Sequence, residues 1–297
     1  VSDIGEKARA TFLALIMITS VIVAGVAFTG STAADAPPDS PATDPGNLQV
    51  SLLNESNDAK VTFGVNTTSK TINKTNATDS DVAVGSVNSD LDNTAKAIQF
   101  AIDNATTEYS TVRVGSGIYN GSVSIDVNDL TLEGADGASS TIIGQSSVAV
   151  TSTTPNVEIA DLRIENPDGS RAVRVTDDAT DVVIQDNTIT NINTDNDATQ
   201  PRGILVIGLD GGDSADGLEI RNNTVTNIES NGGDQAHGIQ ILEESNGGGL
   251  IENVVVDGNT VTDLLDNRSS QGINFNGNIK GDITNNSIST LNTDRSG

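Results

Sequence analysis

Chemistry in this chain would fall first to a series of carboxylates. Asp177, Asp178, Asp210, Asp213, Asp216, Glu243 and Glu244 follow short segments of alternating apolar and polar residues that begin at Ala172, Gly203 and Gly238. If those segments stack, Asp177, Asp210 and Glu243 come within reach of one another. Carboxylate oxygens gathered in this way can ligate Ca2+, with Asp177, Asp210, Asp213 and Asp216 as the candidate ligands. A pair of them can serve as acid and base in glycoside hydrolysis, which singles out Asp210 and Glu243. Arg174 points outward beside Asp177 and completes the catalytic candidates. The run Asp210-Gly-Gly-Asp213-Ser-Ala-Asp216-Gly fits no strict calcium-loop spacing. In a chain with 41 acidic and 15 basic residues, solvated surface charge is the simpler account of these groups.

His237, the only histidine, stands just before one of the same segments. Arg171, Arg202 and Gln271 hold the equivalent places in other repeats, which implies a stacked exterior position. Acid–base catalysis by His237 requires a partner within hydrogen-bond reach, and the sequence supplies no evident one.

What would position these residues is a repeat. The phrase Ile184-Gln-Asp-Asn187-Thr-Ile189-Thr-Asn-Ile192 returns as Ile220-Arg-Asn-Asn223-Thr-Val225-Thr-Asn-Ile228. It returns again as Val256-Asp-Gly-Asn259-Thr-Val261-Thr-Asp-Leu264 and Ile283-Thr-Asn-Asn286-Ser-Ile288-Ser-Thr-Leu291. The asparagines lie 36, 36 and 27 residues apart, a period that marks a solenoid. Each repeat reads as two alternating strand patterns, one holding the asparagine and one starting at Ala172, Gly203, Gly238 or Gly272. Alternation turns Val173, Ile204, Ile239 and Ile273 inward, with Val175, Val206, Ile241 and Phe275. Equivalent strands pair in parallel about 4.8 Å apart, so like stacks on like. Asn187, Asn223, Asn259 and Asn286 are then expected to sit at one turn and form an inward ladder, with Leu162 in the matching place one coil earlier. The fold expected is an all-β parallel β-helix, with insertions on one side at 194–202, 208–217, 229–237, 243–253 and 266–271.

Residues 94–104 (TAKAIQFAIDN) place Ala95, Ile98, Ala101 and Ile102 on one helical face. This helix, followed by VRVGSGIYNGSVSI, LTLEG and TIIG, resembles the N-terminal entry of pectin-lyase-like right-handed parallel β-helices. The resemblance implies that the helix caps the first coil. In the pectate-lyase branch an outward arginine beside calcium-binding aspartates abstracts the sugar proton, and Arg174 beside Asp177 is the position here that invites comparison. The matching residues are too few to transfer that role, and fold does not carry function.

A formal charge of -26 repels nucleic acid and anionic lipid, and suits a surface kept soluble in concentrated salt. The absence of cysteine excludes disulfides and thiolate metal sites. The scarcity of aromatics, 2% of residues, argues against a broad sugar-stacking groove. Residues 1–34 have the layout of a secretory signal: Lys7 and Arg9, an apolar run from Thr11 to Phe28, then small residues at 30–34. The stretch from Gly5 resembles the signal sequence of haloarchaeal surface glycoproteins, which implies export to the cell surface of a salt-adapted archaeon. Residues 35–90 read as a Pro-, Asp-, Thr- and Asn-rich linker or N-terminal region, in which weak alternation at Lys60-Val-Thr-Phe-Gly-Val65 allows a few strands, and 91–297 as the β-helix. N-x-S/T sequons cluster at Asn54, Asn66, Asn73 and Asn76 and are the glycosylation candidates. After Leu291 the second-strand pattern does not recur, so the β-helix is expected to continue in a longer chain.

The sequence therefore points to an exported surface or extracellular glycoprotein with a structural, adhesive or carbohydrate-related role. A polysaccharide lyase or glycoside hydrolase and a cation-dependent binding module are the alternatives. Polysaccharide or cell-surface components are the expected partners, with membrane contact only through the export signal or a C-terminal anchor beyond this sequence.

Overall fold

The structure is a computed structural model that describes residues 48–66, 71–75, 87–88, 93–176, 179–194, 200–208, 215–231, 235–243, 250–266 and 269–292. The expected export signal, the 35–47 segment, Asn76, Asp177, Asp178, Asp210, Asp213 and Glu244 lie outside the described residues.

The N-terminal part is antiparallel. Strands β1 (Leu48–Asn54), β2 (Ala59–Asn66), β3 (Thr71–Thr75) and β4 (Val87–Asn88) pair in sequence order, and α1 (Lys96–Asp103) follows. Three strands per coil then repeat: β5 (Tyr109–Val114), β6 (Gly117–Asn120) and β7 (Val123–Ile125), then β8 (Thr131–Gly134), β9 (Ser140–Ile143) and β10 (Val148–Ser152). The third and fourth coils are β11 (Glu158–Ala160), β12 (Arg163–Asn166), β13 (Arg171–Val175), and β14 (Val183–Gln185), β15 (Thr188–Thr194), β16 (Arg202–Gly208). The fifth and sixth are β17 (Glu219–Arg221), β18 (Thr224–Ser230), β19 (His237–Glu243), and β20 (Ile251–Asp257), β21 (Thr260–Leu265), β22 (Gln271–Asn276). A last turn holds β23 (Ile279–Thr284), β24 (Ser287–Ile288) and β25 (Leu291–Asn292).

Every third strand pairs in parallel with its equivalent in the next coil, which makes three walls. Sheet A runs from β5 through β8, β11, β14, β17 and β20 to β23, sheet B from β6 to β24, and sheet C from β7 to β22. The chain is a right-handed parallel β-helix. Its core is a set of columns in register, such as Ile159, Ile184, Ile220, Val256 in sheet A and Val150, Val173, Ile204, Ile239 in sheet C, each with no exposed surface. Burying a side chain of this size contributes about 1.5–3 kcal/mol relative to leaving it exposed. At the C-terminal end the same columns open, with Ile283 50%, Ile288 45% and Leu291 40% exposed. Ile273 and Phe275, expected in the core, are only half-buried in this last stretch.

One expectation is corrected. The repeated phrase is two strands and not one: Ile184 belongs to β14, Ile189 and Ile192 to β15, and Asn187 sits at the corner between them. The corner is made by the preceding residue, which adopts positive φ at Asp186 (56°), Asn222 (54°), Gly258 (68°) and Asn285 (53°). Asp, Asn and Gly are the residues that tolerate this left-handed conformation. In the N-terminal region, where weak alternation allows a few strands, regular strands begin at Leu48. Strand β1 pairs antiparallel with β5 and so extends sheet A beyond the first coil. Val50 and Leu52 of β1 and Val61, Phe63 and Val65 of β2 are buried, and Phe63 meets Phe100 of α1 with ring centroids 6.1 Å apart. Helix and hairpins together cover the first coil, where an open end would expose stacking surface. Among the described residues no helix is long and apolar enough to cross a membrane.

Candidate functional site: the outer face of sheet C

Sheets A and B pair their outward charged residues along one strand or with the neighbouring coil. Arg113 pairs with Glu133 at 2.6 Å, Arg221 with Glu219 at 2.9 Å, Lys280 with Glu252 at 3.0 Å, and Arg163 with Glu165 at 2.5 Å. Gln185 donates to Glu158 at 2.6 Å, and Asn191 to Glu165 at 2.7 Å. Where carboxylates crowd, at Glu133, Glu158, Asp161 and Asp186, burial and mutual repulsion raise the pKa values of Glu158 and Asp161.

Sheet C differs. Its first outward column is Arg171, Arg202, His237 and Gln271, in consecutive coils and in register. Its next is Ser124, Thr151, Arg174, Leu205, Gln240 and Asn274. Arg202 holds Gln240 through its Nε and donates to Gln200 Oε1 at 2.6 Å. Gln240 passes the chain on to Asn274 Oδ1 at 3.1 Å. The remaining members lack such closure. Arg171 donates Nη1 to Ser170 Oγ at 3.1 Å, but its Nε is buried without an acceptor, and so is the Nε of Arg174. Neither arginine has an ion pair among the described residues. Both nitrogens of His237 and Oε1 of Gln271 are also buried and unpartnered.

The expected exterior stack is therefore present, but His237 is buried within it, 1% exposed. Burial, then the positive charge of Arg202, push its pKa down to about 4 against a smaller upward pull from Asp266. The ring is neutral near pH 7. Burial, then the charge of Arg174, likewise lower the pKa of Arg171, which keeps its proton at neutral pH. Two adjacent guanidinium groups and a neutral imidazole thus lie on one wall, with hydrogen-bond capacity unspent.

The two described carboxylates of the predicted acidic edge are engaged with backbone. Asp216 lies in the turn entering sheet A, where its Oδ1 accepts the Glu252 N–H at 2.6 Å. Glu243 ends β19, and its Oε2 accepts the N–H of Asn278 one coil on. Its Oε1 is buried and unpartnered. Arg174 stands at the outward position expected of it. Among the described residues no three His, Cys, Asp or Glu are grouped to hold a metal ion. In chain order the insertions fall directly before or after the strands of sheet C.

The asparagine ladder is continuous. Asn187 Oδ1 accepts the Leu162 N–H at 3.1 Å, Asn223 Oδ1 the Asn187 N–H at 3.1 Å, and Asn259 Oδ1 the Asn223 N–H at 3.0 Å. Asn286 Oδ1 accepts the Asn259 N–H at 2.8 Å. Each Nδ2 donates to a strand carbonyl of the coil before: Ile159, Ile184, Ile220 and Val256. Of the sequons, Asn66 and Asn73 are exposed at the hairpin strands. Asn54 Oδ1 instead accepts from the Ser56 and Asp58 N–H groups in the β1–β2 turn.

Gln240 and Asn274 were not singled out by sequence reasoning. Their signal was the outward alternate position of the second segment, two residues after the glycine. Among solved structures, the chain is similar to a pectin methylesterase mutant in complex with a hexasaccharide, at 12% identity over 59% of this chain and 76% of that one, TM-score 0.33. A pectin methylesterase from Aspergillus niger shares 13% identity over 65% and 82%, TM-score 0.33. An alginate lyase from Paenibacillus shares 14% over 65% and 97%, TM-score 0.30. No family model and no curated protein matches the chain. The β-helix assignment rests on the strand pairing itself.

Proposed function

We propose that the chain is an exported, glycosylated surface protein of a salt-adapted cell whose sheet C binds an acidic polysaccharide without cleaving it. The observation that supports this is the concentration of unspent donors on one wall: Arg171 Nε, Arg174 Nε and the His237 ring. Leaving a buried polar group unsatisfied costs about 1–3 kcal/mol, so grouping several on one face has a physical reason only if a ligand satisfies them. Guanidinium groups suit carboxylate or sulfate oxygens, and Gln271, Gln240 and Asn274 suit hydroxyls. In concentrated salt, long-range attraction is screened, and short charge-assisted bonds from half-buried arginines are what survive. A wall that repeats every 4.8 Å or so also suits a polymer more than a single small molecule.

The test is binding of a polyuronate, with a neutral glucan as control, by titration calorimetry in molar KCl. Arg171→Gln/Arg174→Gln is expected to weaken polyuronate binding by about 10–100-fold, the loss of one or two charge-assisted bonds. Equal binding of the neutral glucan, or no effect of the double substitution, sinks the reading. A lyase is the second reading, favoured by the outward Arg174 with its free Nε. It requires release of unsaturated ends from the polyuronate, lost in Arg174→Gln, Asp210→Ala or Glu243→Ala.

A further inference from the structure

Each corner between sheets A and B gives three consecutive residues different tasks. One in left-handed conformation makes the turn, the ladder asparagine points in, and the next residue starts the sheet B strand and points out. In the fifth coil these are Asn222, Asn223 and Thr224, an N-x-T sequon whose middle residue is the rung. Asn223 is 1% exposed, whereas Asn222 and Thr224 are both exposed. The fold therefore hides the middle residue and presents the two groups that N-glycosylation uses, the acceptor amide and the hydroxyl two positions on. We infer that Asn222 carries an N-linked oligosaccharide, with the Thr224 hydroxyl as its recognition partner.

At other sequons the amide or the hydroxyl is already engaged. Asn73 Nδ2 donates to Thr71 Oγ1 at 3.3 Å, Asn104 Nδ2 to Phe100 O at 2.8 Å, and Asn285 Nδ2 to Asp257 Oδ1 at 2.8 Å. Asn54 Oδ1 closes the β1–β2 turn, and the Ser122 hydroxyl that follows Asn120 donates to Val148 O at 2.7 Å. Thr68, which completes the Asn66 sequon, and the acceptors Asn76 and Asn267 lie outside the described residues. The Asn222 amide and the Thr224 hydroxyl make no hydrogen bond among the described residues. An amide that already donates must first give up its bond, so the unspent one is the readier acceptor. The backbone is nonetheless fixed: the Asn222 N–H donates to Asp257 O at 3.0 Å, and the corner keeps its shape whatever the side chain bears. Room comes from the next coil, where the equivalent residue is Gly258. A Cβ there would sit 2.6 Å from Asn222 Oδ1, and glycine leaves that side of the amide open. In a coil of three walls the corner between A and B lies opposite sheet C, so a glycan on Asn222 leaves that wall uncovered.

In the attachment step, Asn222 Nδ2 bonds to the anomeric carbon of an oligosaccharide carried on a lipid phosphate. The bond from that carbon to the phosphate oxygen breaks, and its electron pair leaves with the lipid phosphate. The amide nitrogen yields one proton to a base of the membrane transferase. Donor and chain meet on the outer side of the membrane, so the modification rests on the export proposed above.

The test is peptide mass spectrometry, with assignment to the residue, of the full chain produced with its export signal in a salt-adapted archaeal host that makes lipid-linked oligosaccharides. The expected result is a glycan mass on Asn222. Thr224→Ala keeps Asn222 but is expected to leave it bare, and Thr224→Ser is expected to keep the glycan. Thr224 is exposed, so the circular dichroism of all three proteins should match. Asn222 bare while Asn54, Asn66 or Asn73 carries a glycan overturns the inference and leaves the exported glycoprotein standing. A chain bare throughout overturns both. A glycan on Asn222 that persists in Thr224→Ala overturns the pairing with the Thr224 hydroxyl.

Discussion

Asn223→Ala tests the ladder most directly. The side chain makes four hydrogen bonds: its Oδ1 accepts from the Asn187 N–H and Nδ2, both at 3.1 Å, and its Nδ2 donates to Ile184 O at 2.8 Å and Asn259 Oδ1 at 3.0 Å. Asn259 Oδ1 keeps a second donor, the Asn223 N–H, after truncation. The Asn187 N–H and the Ile184 carbonyl are the two backbone groups left without their rung. At about 1–3 kcal/mol for each buried group stranded, the loss is roughly 2–6 kcal/mol, a large part of a typical domain's stability. Urea melts at fixed high KCl measure it. Urea is preferred because guanidinium is itself a salt and would alter screening of the acidic surface. Asn222→Gly, next door, is the control: Asn222 is exposed and in the left-handed conformation, which glycine adopts without cost. Its expected change is within about 0.5 kcal/mol. If Asn223→Ala costs no more than Asn222→Gly, the asparagines do not hold the coils in register and the reasoning fails.

His237→Gln should flatten a pH dependence. The folded pKa of about 4 lies below the ordinary 6.5, so between those values the unfolded chain binds a proton that the folded chain refuses. Stability contributed by the neutral ring is present above pH 6.5 and lost as pH falls toward 4, by up to about 3 kcal/mol. Glu158 and Asp161, with raised pKa values, act in the opposite sense, so the readout is the difference in Tm between the native chain and the variant. Gly238→Ala should lower Tm by the equivalent of about 1–3 kcal/mol, because a Cβ there would sit 2.4 Å from Val261 Cγ1 and 2.6 Å from the Gly272 carbonyl. Asp216→Ala should destabilise by about 1–3 kcal/mol through the lost cap on Glu252, equally with Ca2+ or with chelator. A loss seen only with Ca2+ present assigns Asp216 to a metal instead.

How much of this could be read in the sequence depends on what each residue interacts with. Ladder asparagines and apolar columns bond to copies of themselves, so the period exposes them, and Leu162 as the start of the ladder follows from the same register. The turn at the asparagines was legible, but not what makes it: its determinant is one residue in left-handed conformation that varies among Asp, Asn and Gly, and only the backbone unifies them. Strands β1 to β3 were legible only as weak alternation, at Lys60–Val65, for a related reason. They pair antiparallel at the solenoid's end and share no repeat with the coils. At the site, the column Arg171–Arg202–His237–Gln271 was legible as a stack, but its burial was not, because exposure at an outward position depends on what covers the wall.

The same logic separates architecture from recognition within one molecule. A rung must be identical from coil to coil, because each accepts from the one before and donates to the one after. A surface that reads a polymer needs the opposite, since successive subsites must offer different groups. The corner between sheets A and B obeys the first demand, with Asn at four consecutive corners. Sheet C obeys the second: Arg, Arg, His, Gln in one column and Thr, Arg, Leu, Gln, Asn in the next. Coil length follows the division. The step between rungs is 25 residues from Leu162 to Asn187, 36 for the next two, then 27, and the extra residues enter at the ends of sheet C while the corner stays constant. Substitutions along the ladder should therefore change stability and leave ligand affinity alone. Substitutions of Arg171 and Arg174 should do the reverse, and a stability gain on removing them is the expected sign of donors held unsatisfied for a ligand.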